Sequence, residues 1–492
     1  MEDARDTPVV ELDSADALVA PGAGEAAIRG GAVRVAGYAA GILLSLVSAT
    51  LVVRHLGIEQ FGRYVTTVAL VTICMSLLEG GVMWMAVREY TVRQGRDRDL
   101  VMRDLLGLRL ALTLFAAGVA IVFALIAGYD HVLLLGTAVA AAAVSIQALQ
   151  PLISVPLQVE LRWSTLTLID LGTQVVRVAG LLILVSVGAG LVPLLAAAIP
   201  SAVFSMLVTG AVARGAVPRE PAFHPKRWKA LVREQLPFAV VVAIGSVYFR
   251  LTVVVLQLIA PRIQTGYFAT SYRVIEVLIM VPVLLVAAIF PILSRSAHED
   301  SERHAYVVGK ALEVALIAGV LLVLCVFLGA GFIIDVIAGA RGHGSIRVLE
   351  IQSFALLGTF IAQTAGFALL SMRRYRPLLL MSLTTLVANV VLTLVLGSAH
   401  GAQGAAVGAV AAEVLLALGL LAALRRAHAN LALSPRVVLT LLPAAAAAAA
   451  TLALPVPSVA RVAIAVPLYL AIMLAAGAIP APVIAAIRRR VT

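Results

Sequence analysis

Three arginines stand inside long apolar runs: Arg177 in LTLIDLGTQVVRVAGLLILVS, Arg250 in AIGSVYFRLTVVVLQLI and Arg273 in GYFATSYRVIEVLIM. A charge held at the centre of a bilayer costs about 2.5 kcal/mol or more, so such a residue faces a watery cavity or a partner. A guanidinium stays ionised in a low dielectric and grips phosphate oxygens two at a time. Several of them facing one interior suit an anionic cargo, with pyrophosphate the natural candidate. The carboxylates in apolar runs are fewer. Asp170 lies two turns before Arg177 on the same helix face, so the two either line a cavity together or form a structural pair. Arg273 and Glu276, spaced i to i+3, either line the cavity or neutralise each other. Arg250 has no carboxylate one turn away on its own helix. Glu79 and Glu413 are isolated carboxylates that a low dielectric allows to take up a proton in place. Together with Asp170 and Glu276 they are the candidates for coupling to a H+ or Na+ gradient.

Other polar residues have plainer readings. Arg34, Arg109, Lys310 and Glu313 fall near helix ends, where long side chains snorkel to the headgroups. All eight histidines fall between the apolar runs, which argues against an intramembrane histidine relay. The two cysteines, Cys74 and Cys325, lie in apolar runs without Cys-x-x-Cys spacing, so neither a disulfide framework nor a metal site is expected. The motifs of nucleotide binding, serine hydrolysis and zinc proteolysis do not occur. The longest polar loop, 213–236, is short and mostly basic, unlike the large catalytic loops of membrane glycosyltransferases. No enzyme activity and no cofactor are expected.

The elements that would hold these side chains follow from composition. Of 492 residues, 62% are apolar and 13% charged. A soluble chain carries about 45–50% and about 25%, so this is an integral membrane protein. The net charge of +11 then reflects topology, with no nucleic-acid partner. Crossing about 30 Å of hydrocarbon takes about 20 residues of helix. Windows of that kind predict fourteen spans: near 33–53, 64–87, 105–127, 132–157, 165–187 and 191–212, then 237–260, 267–293, 307–338, 347–371, 377–397, 405–424, 437–454 and 459–480. With both termini in the cytosol, 26 of the 37 Lys and Arg residues fall on the cytosolic side and six on the other, as the positive-inside rule requires. The acidic segment 1–30 reads as a disordered cytosolic tail. Residues 31–212 form an N-lobe of six spans and 237–424 a C-lobe of six. The stretch 213–236, containing HPKRWKALVREQLP, is an amphipathic cytosolic connector, and 425–492 hold spans 13 and 14 with a cytosolic C-terminus.

An internal repeat supports two lobes. EQFGRYVTTVAL after span 1 aligns with IQTGYFATSYRV after span 7 at an offset of 204, matching Gly62 with Gly266 and Tyr64 with Phe268. GAGLVPLLAAA before span 6 aligns with GAQGAAVGAVAA before span 12 at an offset near 213. Two matches in the same order and at nearly one spacing favour duplicated halves, as in many transporters. Gly37 with Gly41, and Gly404 with Gly408, offer small-xxx-small faces for close helix packing.

The segments LVVRHLGIEQFGRYVTTVAL, GGVMWMAVREYTVR, GYFATSYRVIEVLIMVPVLLVAAIFPILSR and GAQGAAVGAVAAEV resemble polysaccharide flippases of the multidrug/oligosaccharidyl-lipid/polysaccharide (MOP) superfamily. The likeness runs over nearly the whole chain after residue 31. It implies fourteen helices in two pseudo-symmetric lobes and a multi-pass protein of the bacterial plasma membrane. It also implies export of an undecaprenyl pyrophosphate-linked oligosaccharide by alternating access, with polysaccharide polymerase and glycosyltransferases as neighbours. In lipid II flippases an arginine early in helix 8, followed by a glutamate one turn on, lies at the central cavity; here those positions read Arg273 and Glu276. The arginine-rich start of helix 1 typical of lipid II flippases is replaced by GYAAGILLSLVSAT, which points to O-antigen, capsule or exopolysaccharide units instead. Lipid II flipping and cation or drug antiport are the alternatives within the superfamily, and three cavity arginines would repel a cationic drug.

Overall fold

The computed structural model describes residues 23–479 except 80–81, 161, 215–216, 219, 230–246, 249, 429–430 and 432–433. The acidic tail up to residue 22, the end of the connector from residue 230, the first part of span 7 and the C-terminal arginines lie outside the described residues. Among those described, all regular structure is helical. Among the described residues eleven helices are long and apolar enough to cross a bilayer, so the chain is a multi-pass membrane protein.

The chain runs α1 (Ala23–Leu56), α2 (Ile58–Glu79), α3 (Val82–Val92), α4 (Gly95–Ile126), α5 (His131–Ile153), α6 (Val155–Val159), α7 (Trp163–Ser186), α8 (Leu191–Ala196) and α9 (Ala198–Val212). It continues with α10 (Arg250–Ile259), α11 (Arg262–Leu278), α12 (Met280–Glu299), α13 (Ser301–Ala338), α14 (Gly344–Ser371), α15 (Tyr375–Ala427), α16 (Pro435–Ala449) and α17 (Ser458–Ala475). Helix α1 takes in residues 23–30, which composition alone assigns to the tail. Helix α13 is nearly twice as long as a span needs to be and so overhangs the hydrocarbon.

Helix α15 is in fact two helices. Gly401 has φ 57°, and beyond it the chain turns back: a Cβ on Gly404 would sit 1.9 Å from the Leu396 carbonyl, and one on Gly408 3.1 Å from Leu392 Cβ. Such paired approaches, 396 with 404 and 392 with 408, are those of an antiparallel hairpin. At Gly404 only a residue without a Cβ permits this, and at Gly408 an added Cβ would be tight; the Gly404–Gly408 spacing supplies a glycine at both.

The distant-loop ion pairs sort by end. Arg63 pairs with Asp130, which also receives Arg262 Nη2 at 3.4 Å. At the opposite end Asp104 receives His224 and Arg227, and Arg103 pairs with Glu220. In each case the joined loops belong to one side of the alternation deduced from charge. The core at the first end is shared by both halves of the chain: Val52, Ile58, Phe61 and Leu194 pack with Ala269, Ile334 and Leu349. The alanine-rich α16 packs Ala444 and Ala448 against Leu324 and Leu328 of α13, and Tyr469 of α17 donates its hydroxyl to the Ile317 carbonyl at 3.1 Å. Small side chains let these last helices lie close to α13.

Two of the plainer readings are corrected by this packing. Arg109 does not snorkel; it is buried and its Nε donates to the Ala148 carbonyl. Glu313 is buried as well, holding Lys310 Nζ at 2.8 Å and the Ser434 amide at 2.8 Å, so it ties the start of α16 to α13. An internal partner in both cases outweighs the pull of the headgroups. The side chain of Arg34 lies outside the described residues.

Candidate functional site: a cationic cavity between the halves

Helical spacing of 3 and 4 builds the site. On α7, Thr167, Asp170, Gln174, Arg177 and Leu181 recur at 3, 4, 3 and 4 residues and so share one face. On α1, Gly37, Gly41, Ser45, Ser48 and Val52 do the same, and on α11 Ala269, Arg273 and Glu276. These faces enclose two adjoining cavities of about 200 Å³ and 610 Å³. Ser45, Gln174, Arg177, Arg250, Arg273 and Glu276 form walls of both. The smaller cavity continues along Phe61, Tyr64, Val68 and Thr72 of α2. The larger continues toward the starts of α1 and α7 and the end of α5.

Glu276 stands between two arginines. Its Oε2 accepts from Arg273 Nη1 at 2.7 Å and its Oε1 from Arg250 Nη2 at 3.1 Å. Arg273 also donates to Ser45 Oγ on α1, so this network joins the N-terminal and C-terminal halves. Both readings of the Arg273 and Glu276 pair hold together here: the two residues neutralise one another and line the cavity. Arg177 faces the same space, makes no hydrogen bond or ion pair among the described residues, and has a buried Nε. A buried donor left unsatisfied costs about 1–3 kcal/mol, which an anion in the cavity would relieve. Counting Arg177, Arg250 and Arg273 against Glu276, the junction keeps a net positive charge.

Five of the seven residues singled out from sequence therefore meet around one space: Arg177, Arg250, Arg273, Asp170 and Glu276. Asp170 lines the larger cavity and forms no ion pair with Arg177. Glu413 is elsewhere. It is 1% exposed and lines a separate space of about 20 Å³ with Asn389, Thr252 and Tyr248, and Thr359 Oγ1 lies 3.1 Å from its Oε2. Glu79 closes α2, and its side chain lies outside the described residues. Among the described residues no group of three or more His, Cys, Asp or Glu side chains is placed to hold a metal ion.

Sequence reasoning overlooks Ser45, Gln147, Gln150 and Gln174, which share the cavity with the arginines. The regular 3-and-4 spacing of Thr167, Asp170, Gln174 and Arg177 is the available signal. Arg63, placed from sequence in an outer loop, is 5% exposed and pairs with Asp130. Its neighbour Gly62 approaches Gly266: a Cβ on Gly62 would lie 2.6 Å from the Gly266 nitrogen.

Residues 27–297 match a family described as polysaccharide biosynthesis protein. Comparison with curated proteins gives no match. The fold is similar to that of the lipid II flippase MurJ in an inward closed conformation, at 12% identity and a TM-score of 0.73, over 90% of this chain and 98% of that one. It is also similar to an inward-facing multidrug resistance MATE transporter of the MOP superfamily, at 15% identity and a TM-score of 0.65, over 79% of this chain and 95% of that one. A eukaryotic MATE transporter matches at 13% identity and a TM-score of 0.51, over 82% of this chain and 99% of that one. These are transporters and flippases. The chain belongs to the polysaccharide biosynthesis protein family and has the fold of the MOP superfamily's flippases and exporters.

Proposed function

We propose that this protein is a flippase that moves an undecaprenyl pyrophosphate-linked oligosaccharide from the cytosolic to the outer leaflet of the bacterial inner membrane, and catalyses no bond change. The observation that carries the reading is Arg177, which has no partner among the described residues, beside the Arg250–Glu276–Arg273 network in a cavity built by both halves of the chain. The pyrophosphate displaces Glu276 and takes the three guanidinium groups, while the polyprenyl tail stays in lipid and the glycan occupies the wider cavity. O-antigen, capsule and exopolysaccharide units are the cargo class. The basic loops and both termini face the cytosol, where glycosyltransferases deliver the substrate, and a polymerase receives it outside. Rocking of the halves about Gly62 and Gly266 then alternates access, with the ends held in turn by contacts such as Asp130 with Arg262. Glu413 supplies a site at which H+ or Na+ uptake changes the packing of α10, α14 and α15.

Cations as cargo fit poorly, because a positive junction repels them. The test is reconstitution in proteoliposomes with a fluorescent short-chain prenyl pyrophosphate-linked sugar and an impermeant quencher. Protein-dependent movement that Arg177→Ala or Arg273→Ala abolishes is expected. Equal movement in wild type and both variants overturns the assignment.

A further inference from the structure

The wider cavity carries chemistry that the anion alone does not use. Among the described residues, Gln147, Gln174 and the carboxylate of Asp170 have no hydrogen-bond partner. Gln150 reaches Thr209 at a loose 3.3 Å, and Ser205 and Thr167 add hydroxyls to the wall. The Thr167 hydroxyl donates to the Trp163 carbonyl at 2.9 Å, which leaves, among the described residues, two unpartnered primary amides, a third loosely held, the Ser205 hydroxyl and a carboxylate along about 610 Å³ of space in a membrane bundle, an unusual wall for a packing surface. Gln147 and Asp170 are exposed to that space and Gln174 is half-buried, so their polar groups are open to water or to a ligand. Amides and hydroxyls of this kind pair with the hydroxyl and N-acetyl groups of a hexose. The position is also specific: Asp170 lies two helical turns before Arg177 on one face of α7, a separation on the scale of one sugar ring beyond a phosphate.

We infer that this chamber is a subsite for the sugar joined to the pyrophosphate, that it takes an uncharged N-acylated hexose, and that Asp170 excludes a sugar bearing a carboxylate there. The inference rests on the flippase reading above, since the arginine junction fixes the register of the sugar. An acidic sugar would bring a second negative charge against Asp170, so discrimination comes from a repulsive element as well as from the amide contacts.

The test uses full-length protein in lipid nanodiscs and native mass spectrometry with three probes: a short-chain prenyl pyrophosphate, the same lipid carrying N-acetylglucosamine, and the same lipid carrying glucuronic acid. Wild-type protein is expected to bind the N-acetylglucosamine form at least about tenfold tighter than the glucuronic acid form, since one like-charge juxtaposition costs more than a tenfold change in affinity. Asp170→Asn is expected to narrow that ratio, and Gln174→Ala to reduce the gain of the N-acetylglucosamine form over the bare pyrophosphate. If the bare pyrophosphate binds but wild type does not distinguish the two sugars, the subsite is overturned and the flippase reading stands. If the ratio is present and survives Asp170→Asn, the role of Asp170 is overturned. If the bare pyrophosphate does not bind, the anion site itself is overturned, and the subsite with it.

Discussion

Gly62 and Gly266, which occupy matching positions in a repeated motif, touch each other: a Cβ on Gly62 would lie 2.6 Å from the Gly266 nitrogen and 2.8 Å from its Cα. A residue meets its own repeat counterpart only where the two copies of the motif cross. The contact is between backbones, so no rotamer change can accommodate a larger residue. Gly62→Ala is expected to destabilise the protein by about 1–3 kcal/mol, the usual cost of overpacking. Thermal unfolding in nanodiscs checks this, with Gly118→Ala as the control: a Cβ there meets open space, so its midpoint stays level or rises.

Glu276 holds Arg250 and Arg273, the guanidinium groups that the proposed cargo would take. An arriving anion must break two charge-assisted hydrogen bonds before it forms its own. Glu276→Gln weakens both and is expected to tighten binding of a short-chain prenyl pyrophosphate by about tenfold, within the range of buried charge-pair effects. Arg273→Ala is expected to weaken it by a comparable factor. Competition binding at low and high salt measures both, and equal affinity in the two variants would exclude the junction as the anion site.

The cytosol-assigned end carries a pH-sensitive contact. His428, following α15, lies 2.9 Å from His304, 3.1 Å from Met372 Sδ and 3.4 Å from Ser301. Burial, and then the positive charge of Arg374, hold its imidazole below the usual histidine range. The folded protein thus binds a proton less readily than the unfolded chain, whose histidine titrates near about 6.5. Above that value this group adds no pH dependence. As pH falls through it toward the lower folded value, the unfolded state takes up more protons and stability declines. Melting temperature measured from pH 8 to pH 5 is expected to fall at the acid end, and to fall less in His428→Gln.

Asp130 holds the other end. It caps α5 by accepting from the Leu133 amide at 3.0 Å, pairs with the buried Arg63 and receives Arg262 from the start of α11. Asp130→Asn leaves the Arg63 charge without its partner and loosens the tie to Arg262. Faster labelling of a cysteine placed at Tyr64 by an impermeant thiol reagent added from outside is expected. Unchanged labelling would show that this ion pair does not hold the end closed.

Much of the site is legible in the sequence because charge is rare in an apolar helix. Arg177, Arg250 and Arg273 stand out against their surroundings, and helical spacing ties Asp170 to Arg177 and Glu276 to Arg273. What the spacing cannot show is that Glu276 also takes Arg250, on another helix, because that contact depends on how α10 meets α11. Arg109 and Glu313 escape for a related reason: distance from a helix end does not reveal the Ala148 carbonyl or the Ser434 amide that holds them inside. Gln147 and Gln174 are overlooked because an uncharged amide in a long apolar run is a weak signal until its neighbours are known. The hairpin at Gly401 is legible as two spans, since the polar break SAHGAQG interrupts the apolar run.

Whether the arginine junction carries a lipid-linked glycan is decided most directly in cells. Polyprenyl-linked lipids are profiled by mass spectrometry after depletion of the protein, beside strains complemented with wild type, Arg177→Ala, Arg250→Ala and Arg273→Ala. The expected result is accumulation of one undecaprenyl pyrophosphate oligosaccharide, cleared by wild type and not by the arginine variants. No change in any lipid-linked glycan, in cells that make them and have no second transporter for them, would contradict the assignment and shift it to export of a small molecule.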